Sequence, residues 1–532
     1  MIRIDLRIDN ARIVDGSGGP SFMGSVGVVG GRIVAVDDDR PAVRTTDAGG
    51  AVLAPGFIDL HTHSDFTLPV FPAASAMVRQ GVTTQVVGNC GFSPFPNPPQ
   101  RRTELSEYMS FLDAGIPWDR WQDAVGFADF LDALPLGSNV ALQVGLGTVR
   151  MSVMGFERRP PSDEELAEMS RLVMQSFAAG VVGTSSGLVY PPGSYADSDE
   201  ITHLTSIAGR FDGFHSSHIR NESGSLVEAV GEVIDIARRT KVPLQLSHHK
   251  ALGPSSWGMV DKSLGLIDAA RSTGCDVLAD QYPYRAGSTA LTRVLPDWTL
   301  EGGVKAMRDA LNDPETRRRV AWAMRNPGRA ASREFIPDAL LLSQIPDGPN
   351  KQYEGLLLTE AAAVRGGDPI DTALDLLEEE GAGILTVVFG MSEHDVRTVM
   401  AHPAVAIASD GWTLSPSAGG KPHPRSYGTY ARVLGRYVRE EGVLSLENAV
   451  HKMTGLPAQR LGRFNRGLIR PGYVADLVVF DPDAVKDEAT FDDPHRFCSG
   501  VRHVIVGGVF VVEDGEETGA APGRVLRSGD QQ

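Results

Sequence analysis

Apolar and polar residues alternate in short runs at the start of the chain. Residues 1–54 contain IRIDLRIDNARIVDG, GSVGVVGGRIVAVDD and AVLAPG, each closed by glycine. Period-two alternation marks strands with one buried face, and the glycines mark turns, so small antiparallel strands are predicted. The style returns at the other end, in ADLVVFDP and VRHVIVGGVFVVEDG. Neither end alone offers enough strands for a stable sheet. One discontinuous β-domain, a small β-sandwich built from residues 1–54 and 466–532, is therefore expected.

The middle, residues 55–465, has a different rhythm. Short apolar runs alternate with amphipathic stretches such as DEELAEMSRLVMQSFAAG and SLVEAVGEVIDIARRT. That is the pattern of an α/β fold with a parallel sheet. Eight candidate strands stand out: GFIDLHTH (56–63), TTQVVGNC (83–90), VALQVGLG (140–147), VVGTSSGL (181–188), FDGFHSSH (211–218), PLQLSHHK (243–250), DVLADQYPY (276–284) and AVAIASDG (404–411). Eight such units predict a (β/α)₈, TIM-like barrel. Two segments exceed the minimal barrel, residues 92–136 after strand 2 and residues 296–380 after strand 7. The second is rich in helix formers, and both are expected as insertions at the barrel mouth.

At 532 residues the chain is long enough for three or four domains on average, yet a barrel with insertions reaches this size as one unit. Hydrophobic residues at 42% and charged residues at 22% fit an ordinary globular protein. The net charge of −17 repels polyanions, so nucleic acid and acidic membranes are not expected partners; a small-molecule substrate is. No apolar run approaches ~18 residues, so no transmembrane helix is expected. The opening segment has no basic stretch followed by an apolar one, so no secretory signal is expected. Three cysteines (Cys90, Cys275, Cys498) cannot all pair, which points to a reducing cytoplasm. No heptad run or assembly motif specifies an oligomeric state.

Candidate chemistry collects at the C-terminal ends of the predicted strands. His61 and His63 end strand 1, and residues two apart in a strand share a face. Cys90 ends strand 2, His218 ends strand 5, His248 lies near the end of strand 6, and Asp410 ends strand 8. That is the face where barrel enzymes place their sites. Singly, each has a plainer reading: an HxH pair by accident, a cysteine as a small buried hydrophobe, an Asp-Gly turn. Together they would have to coincide at five strand ends. Thiolate, imidazole and carboxylate favour Zn²⁺ over Mg²⁺ or Ca²⁺.

These residues sit in segments with a family resemblance. PGFIDLHTHSD resembles the first-strand signature of the amidohydrolase superfamily. VVGNCGFSP, GTSSGLVYPPGSYAD, SHIRNE, LSHHK, DQYPYRAGST, ASDGW and HPRSYGTYARVLG resemble, more narrowly, the D-aminoacylase (N-acyl-D-amino-acid deacylase) family. The resemblance implies a zinc-dependent hydrolase that removes an acyl group from a D-amino acid. It implies one tight zinc on Cys90, His218 and His248, a second, weaker position at His61, His63 and Asp410, and Asp410 as the general base that later protonates the leaving amine. Hydantoinases and dihydroorotases resemble the chain in strand 1 but bridge two metals with a carboxylated lysine on strand 4. Here only eight lysines exist and the first is Lys241, so Cys90 is the expected substitute. Within LSHHK, His248 shares a face with Lys250 and is preferred over His249. His218 is preferred over His215 because it lies nearer the strand end.

A free α-carboxylate on the substrate calls for buried cationic and hydroxyl donors. Lys250, Tyr282 and Ser288 are the candidates. The plainer reading of Lys250 is a salt bridge to a neighbouring acid. Arg425 has two readings, a carboxylate donor or an anchor for the loop after strand 8. Tyr190 is expected in the acyl or side-chain pocket. Leu146 departs from a position that is commonly histidine in the family. SPSAGGKPHPRSYG reads as a flexible loop beside the site. Three rival functions remain: a dipeptidase for peptides with a C-terminal D-residue, whose free ammonium Glu222 would bind, another linear or cyclic amide hydrolase of the superfamily, and a metal-free scaffold.

Overall fold

The computed structural model describes residues 3–37, 40–326, 335–462 and 465–528. Eight parallel strands form the barrel in the middle of the chain. In chain order they are Phe57–Asp59, Val82–Val87, Asn139–Gly145, Gly183–Gly187, Phe214–His218, Leu244–Leu246, Val277–Gln281 and Val405–Ile407, each hydrogen-bonded to the next. The seam between first and last is closed beyond the strand ends. His63 N–H donates to Gly411 O at 2.9 Å, and Asp410 N–H donates to His61 O at 2.8 Å. Every residue of these strands is buried, as expected where helices cover the outside and side chains fill the inside.

Each barrel strand overlaps its predicted segment, the second and third starting one residue earlier, at Val82 and Asn139, and several stop early. The sixth ends at Leu246 and the eighth at Ile407. His248, Lys250 and Asp410 therefore sit in the turns above the strands, not on a strand face. The helices follow their amphipathic patterns. Asp163–Ala178 starts on a capping box in which Ser162 Oγ accepts from Glu165 N–H and Glu165 Oε2 accepts from Ser162 N–H. Leu226–Thr240 buries Val230, Val233, Ile234 and Ala237 against the barrel and ends on left-handed Lys241.

Both chain ends build one curled nine-stranded sheet. Val52–Pro55 pairs antiparallel with Leu477–Phe480, joining the two halves, and Arg32 bridges Val474 to fold the sheet over. Leu6, Ile8, Ile13, Val26, Leu53, Leu477, Val479 and Ile505 make a core of its own beneath it. The alternating burial of Ile4–Ile13 is the pattern its sequence predicts. The tail departs from this plan: Val525–Leu526 leaves the β-domain and pairs parallel with Val140 and Ala141 of the third barrel strand.

The insertion after the seventh strand is larger than predicted and not only helical. Helices Gly303–Asn312, Pro314–Arg325, Leu358–Arg365 and Pro369–Glu380 pack beside a three-stranded antiparallel sheet of Ala286–Ala290, Leu385–Phe389 and Leu340–Gln344. AGSTA has one β-branched residue and no large apolar one, so its strand character comes from its pairing with LTVVF. Residues 327–334 of the insertion lie outside the described residues. The segment after the second strand forms helices Arg102–Tyr108 and Ala124–Asp132. Among the described residues, no helix is long and apolar enough to cross a membrane.

Candidate active site

The barrel mouth opens on a cavity of about 540 Å³. His63, Cys90, His218, His248 and Asp410 line its floor, and His61 lies fully buried beneath. Cys90 Sγ is 3.3 Å from His61 Nε2 and 3.4 Å from His248 Nε2. His248 Nε2 is 3.0 Å from His218 Nδ1. Asp410 Oδ1 is 3.4 Å from His61 Nε2 and 3.3 Å from His63 Nε2. Three overlapping triads have their donor atoms within 4.8 Å of one another: His61, His63 and Cys90; Cys90, His218 and His248; His61, His248 and Asp410.

Three of these residues hold strained backbones. Cys90, His248 and Asp410 have φ of 55°, 36° and 51°, in the left-handed region that L-residues rarely adopt. Such strain persists where the surroundings enforce it and clusters at functional sites. Here it turns the three side chains inward from the tops of the second, sixth and eighth strands. Soft and borderline donors, buried and converging from separate strands, fit a zinc ion.

The electrostatics are those of a charged cluster held in a dry place. Burial opposes a Cys90 thiolate, but the charges of His61 and His248 and hydrogen bonds from His218 and His248 hold the thiol well below its ordinary range. Burial also opposes an ionised Asp410, yet Arg425, His248 and His61 hold it well below the usual carboxylate value. Burial disfavours a charged His63, while hydrogen bonds to Asp410 and Cys90 raise it to about 9.

The predicted substrate residues also line this cavity. Lys250, Tyr282, Ser288, Tyr190 and Arg425 all do so. Lys250 Nζ donates to Glu222 Oε1 at 2.5 Å and lies 2.8 Å from His248 Nδ1. The neighbouring-acid reading of Lys250 thus coexists with its place in the wall. Glu222 Oε1 also lies 3.2 Å from His248 Nδ1, so the acid is already engaged. Arg425 pairs with Asp410 Oδ2 at 2.7 Å, whereas His61 and His63 approach Oδ1, and its guanidinium lies over the Tyr282 ring. Ser288 Oγ is buried without a hydrogen-bond partner. Tyr190 hydroxyl meets Thr289 Oγ1 at 3.0 Å.

Other residues fall away from the site. His249 Nε2 bonds Ser263 Oγ at 2.8 Å. His215 bonds Thr184 and Ser186, and burial pushes it down to about 3. Leu146 is buried in the first turn of helix Leu146–Met154 and is not among the cavity-lining residues. The loop SPSAGGKPHPRSYG is docked: Lys421 N–H donates to Ser343 O, and Ser343 Oγ donates to Lys421 O.

Sequence reasoning passed over Asp280, Arg293 and most of the apolar wall. Asp280 is two residues before Tyr282, so the alternation of DVLADQYPY carries a signal for it. Arg293 and Phe335 sit in insertion segments whose position over the barrel no local pattern encodes.

A family model described as "Amidohydrolase family" matches residues 354–512. The N-acyl-D-glutamate deacylase, D-aminoacylase and N-acyl-D-aspartate deacylase of Alcaligenes xylosoxydans xylosoxydans are each 37% identical to this chain. The matches cover 99%, 98% and 99% of this chain and 97%, 97% and 95% of theirs. Among solved structures, N-acyl-D-glutamate deacylase from Bordetella bronchiseptica, complexed with zinc and a phosphonate mimic of the tetrahedral intermediate, aligns with a TM-score of 0.84 at 34% identity, covering 99% of this chain and all of that one. A structure of D-aminoacylase, described with a binuclear metal centre, aligns with a TM-score of 0.83 at 35% identity over 98% of this chain and all of that one.

Proposed function

The chain belongs to the N-acyl-D-amino-acid deacylase family of metal-dependent amidohydrolases, and from that membership we propose that it hydrolyses N-acyl-D-amino acids to a carboxylate and a free D-amino acid. The observation that carries this reading is the cluster of Cys90, His218, His248 and Asp410 on the floor of a cavity walled by cationic and hydroxyl groups.

Cys90, His218 and His248 would hold one zinc, and His61, His63 and Asp410 a second, weaker one. Zinc bound there supplies a Lewis acid for the scissile carbonyl and makes water acidic enough to ionise near neutral pH. Asp410 takes the proton of the attacking water as the tetrahedral centre forms. It then returns that proton to the departing nitrogen, because an amide anion is too basic to leave. Arg425 fixes Asp410 through Oδ2 and leaves Oδ1 for this work. That pairing supports the anchoring reading of Arg425, while its place in the cavity wall supports the carboxylate-donor reading.

Lys250, Tyr282 and Ser288 receive the α-carboxylate. Ser288 supports this part, since its hydroxyl is buried, faces the cavity and lacks a partner. Fixing the carboxylate, the carbonyl and the side chain at three points makes the site chiral. The D preference follows the relatives. The dipeptidase reading is weakened by Glu222, whose charge is already spent on Lys250 and His248. Membership in an enzyme family with a complete ligand cluster argues against a scaffold. A required free thiol at Cys90 fits a reducing compartment, and the cytoplasm is the proposed location. Stereoselective amine release from N-acetyl-amino acids by the zinc-loaded protein tests the reading.

A further inference from the structure

The cavity wall divides by strand. Lys250 follows the sixth barrel strand, Tyr282 and Ser288 the seventh, and Arg425 the eighth. Phe92, Phe111 and Leu112 follow the second strand, and Tyr190 follows the fourth. In the ring order of the barrel, strands 2–4 stand opposite strands 6–8. A second apolar group, Val294, Leu340, Leu385 and Val388, belongs to the insertion after the seventh strand.

A secondary amide is planar and trans. The first acyl carbon and the amino acid's Cα therefore lie about 3.8 Å apart, on opposite sides of the C–N bond. If the α-carboxylate sits over strands 6–8, the Cα sits there too. The acyl group then points over strands 2–4. This step rests on the carboxylate placement of the proposed function.

We infer that Phe92, Phe111, Leu112 and Tyr190 form a separate acyl chamber, and that the preferred substrates carry an aromatic or branched acyl group, not acetyl. The chamber has the surface for it. Phe92 packs edge-to-face on Phe111 with centroids 5.9 Å apart and lies 5.0 Å from Tyr190. Aromatic rings gain from such offset contacts, and a further ring extends the cluster. Tyr190 hydroxyl meets Thr289 on the insertion strand at 3.0 Å, which holds its ring in place in the wall. The whole cavity, about 540 Å³, falls in the range of roughly 300–1,000 Å³ that holds drug-sized ligands, far more than an acetyl group fills.

The test is an acyl series on one D-amino acid, the one that ranks first as its N-acetyl derivative, assayed with the zinc-loaded enzyme. N-phenylacetyl and N-isobutanoyl derivatives are compared with N-acetyl by kcat/KM. The expected result is a phenylacetyl-to-acetyl ratio of about ten or more, the scale of burying one ring. Phe111→Ala and Leu112→Ala should each lower that ratio at least about threefold and leave the order of D-amino acids unchanged. Leu340→Ala should leave that ratio unchanged. A wild-type ratio below one overturns the inference while leaving the deacylase reading intact. So does a ratio that responds to Leu340→Ala but not to Phe111→Ala. No release from any derivative, acetyl included, overturns the deacylase reading itself. The wild-type series needs no variant to fold.

Discussion

Asp280 Oδ1 lies 3.2 Å from His61 Nδ1, while His61 Nε2 faces Cys90 and Asp410. The same Asp280 oxygen accepts His248 N–H at 2.7 Å, just where the backbone of His248 turns left-handed. One buried carboxylate thus orients one imidazole and braces the backbone of a second. Carboxylates behind metal-bound histidines fix the tautomer, and their loss typically costs about 10–100-fold in metal affinity. Asp280→Asn keeps an acceptor for His248 N–H but removes the charge. Zinc affinity by chelator competition should fall by that factor. An unchanged affinity would remove Asp280 from the metal site.

Asp410 is the group assigned to proton transfer. Asp410→Asn keeps its shape and should reduce kcat by about 10²–10⁴-fold, the usual share of general acid–base catalysis. The tight zinc on Cys90, His218 and His248 should remain, as measured by elemental analysis. Turnover near the wild-type rate would exclude Asp410 as the base.

Cys90 joins the two halves of the cluster, touching both His61 and His248. In Cys90→Ala the soft donor is gone and the charges around it lose their counterpart. The tightly held zinc should drop from near one equivalent per chain to well below it after dialysis. Unchanged stoichiometry would refute the ligand role.

Lys250 cannot be tested by simple truncation. It neutralises Glu222, and both are buried. Removing one member of a buried pair leaves an uncompensated charge and costs about 3–5 kcal/mol. Lys250→Met alone should therefore lower the melting temperature. Combined with Glu222→Gln, it should recover much of that stability. The double variant should still raise KM for carboxylate-bearing substrates far more than for their amide analogues. Equal effects on both would remove Lys250 from carboxylate binding.

The barrel was legible because its strands are buried on both faces, and such strands read as apolar runs bounded by glycine, as in TTQVVGNC and VALQVGLG. The clustering of His61, His63, Cys90, His218, His248 and Asp410 was legible because polar residues capable of binding metal recur at the ends of those runs. The sheet in the insertion was not. Ala286–Ala290 owes its strand form to a partner about a hundred residues away, which no local pattern records. The tail strand Val525–Leu526 is two residues long and carries no signal of its own. Arg425 meets Asp410 only because a docked loop returns the chain to the mouth before helix Arg425–Arg432 begins. The pairing of Lys250 with Glu222 joins the turns after the sixth and fifth strands, so only the assembled barrel reveals it.

The most direct test of the account is amine release from paired N-acetyl-D- and N-acetyl-L-amino acids, run on zinc-loaded protein, on chelated protein and after zinc is restored. The account predicts release from D-forms only, lost on chelation and recovered with zinc. Release from both enantiomers alike, or from neither with zinc bound, would contradict it.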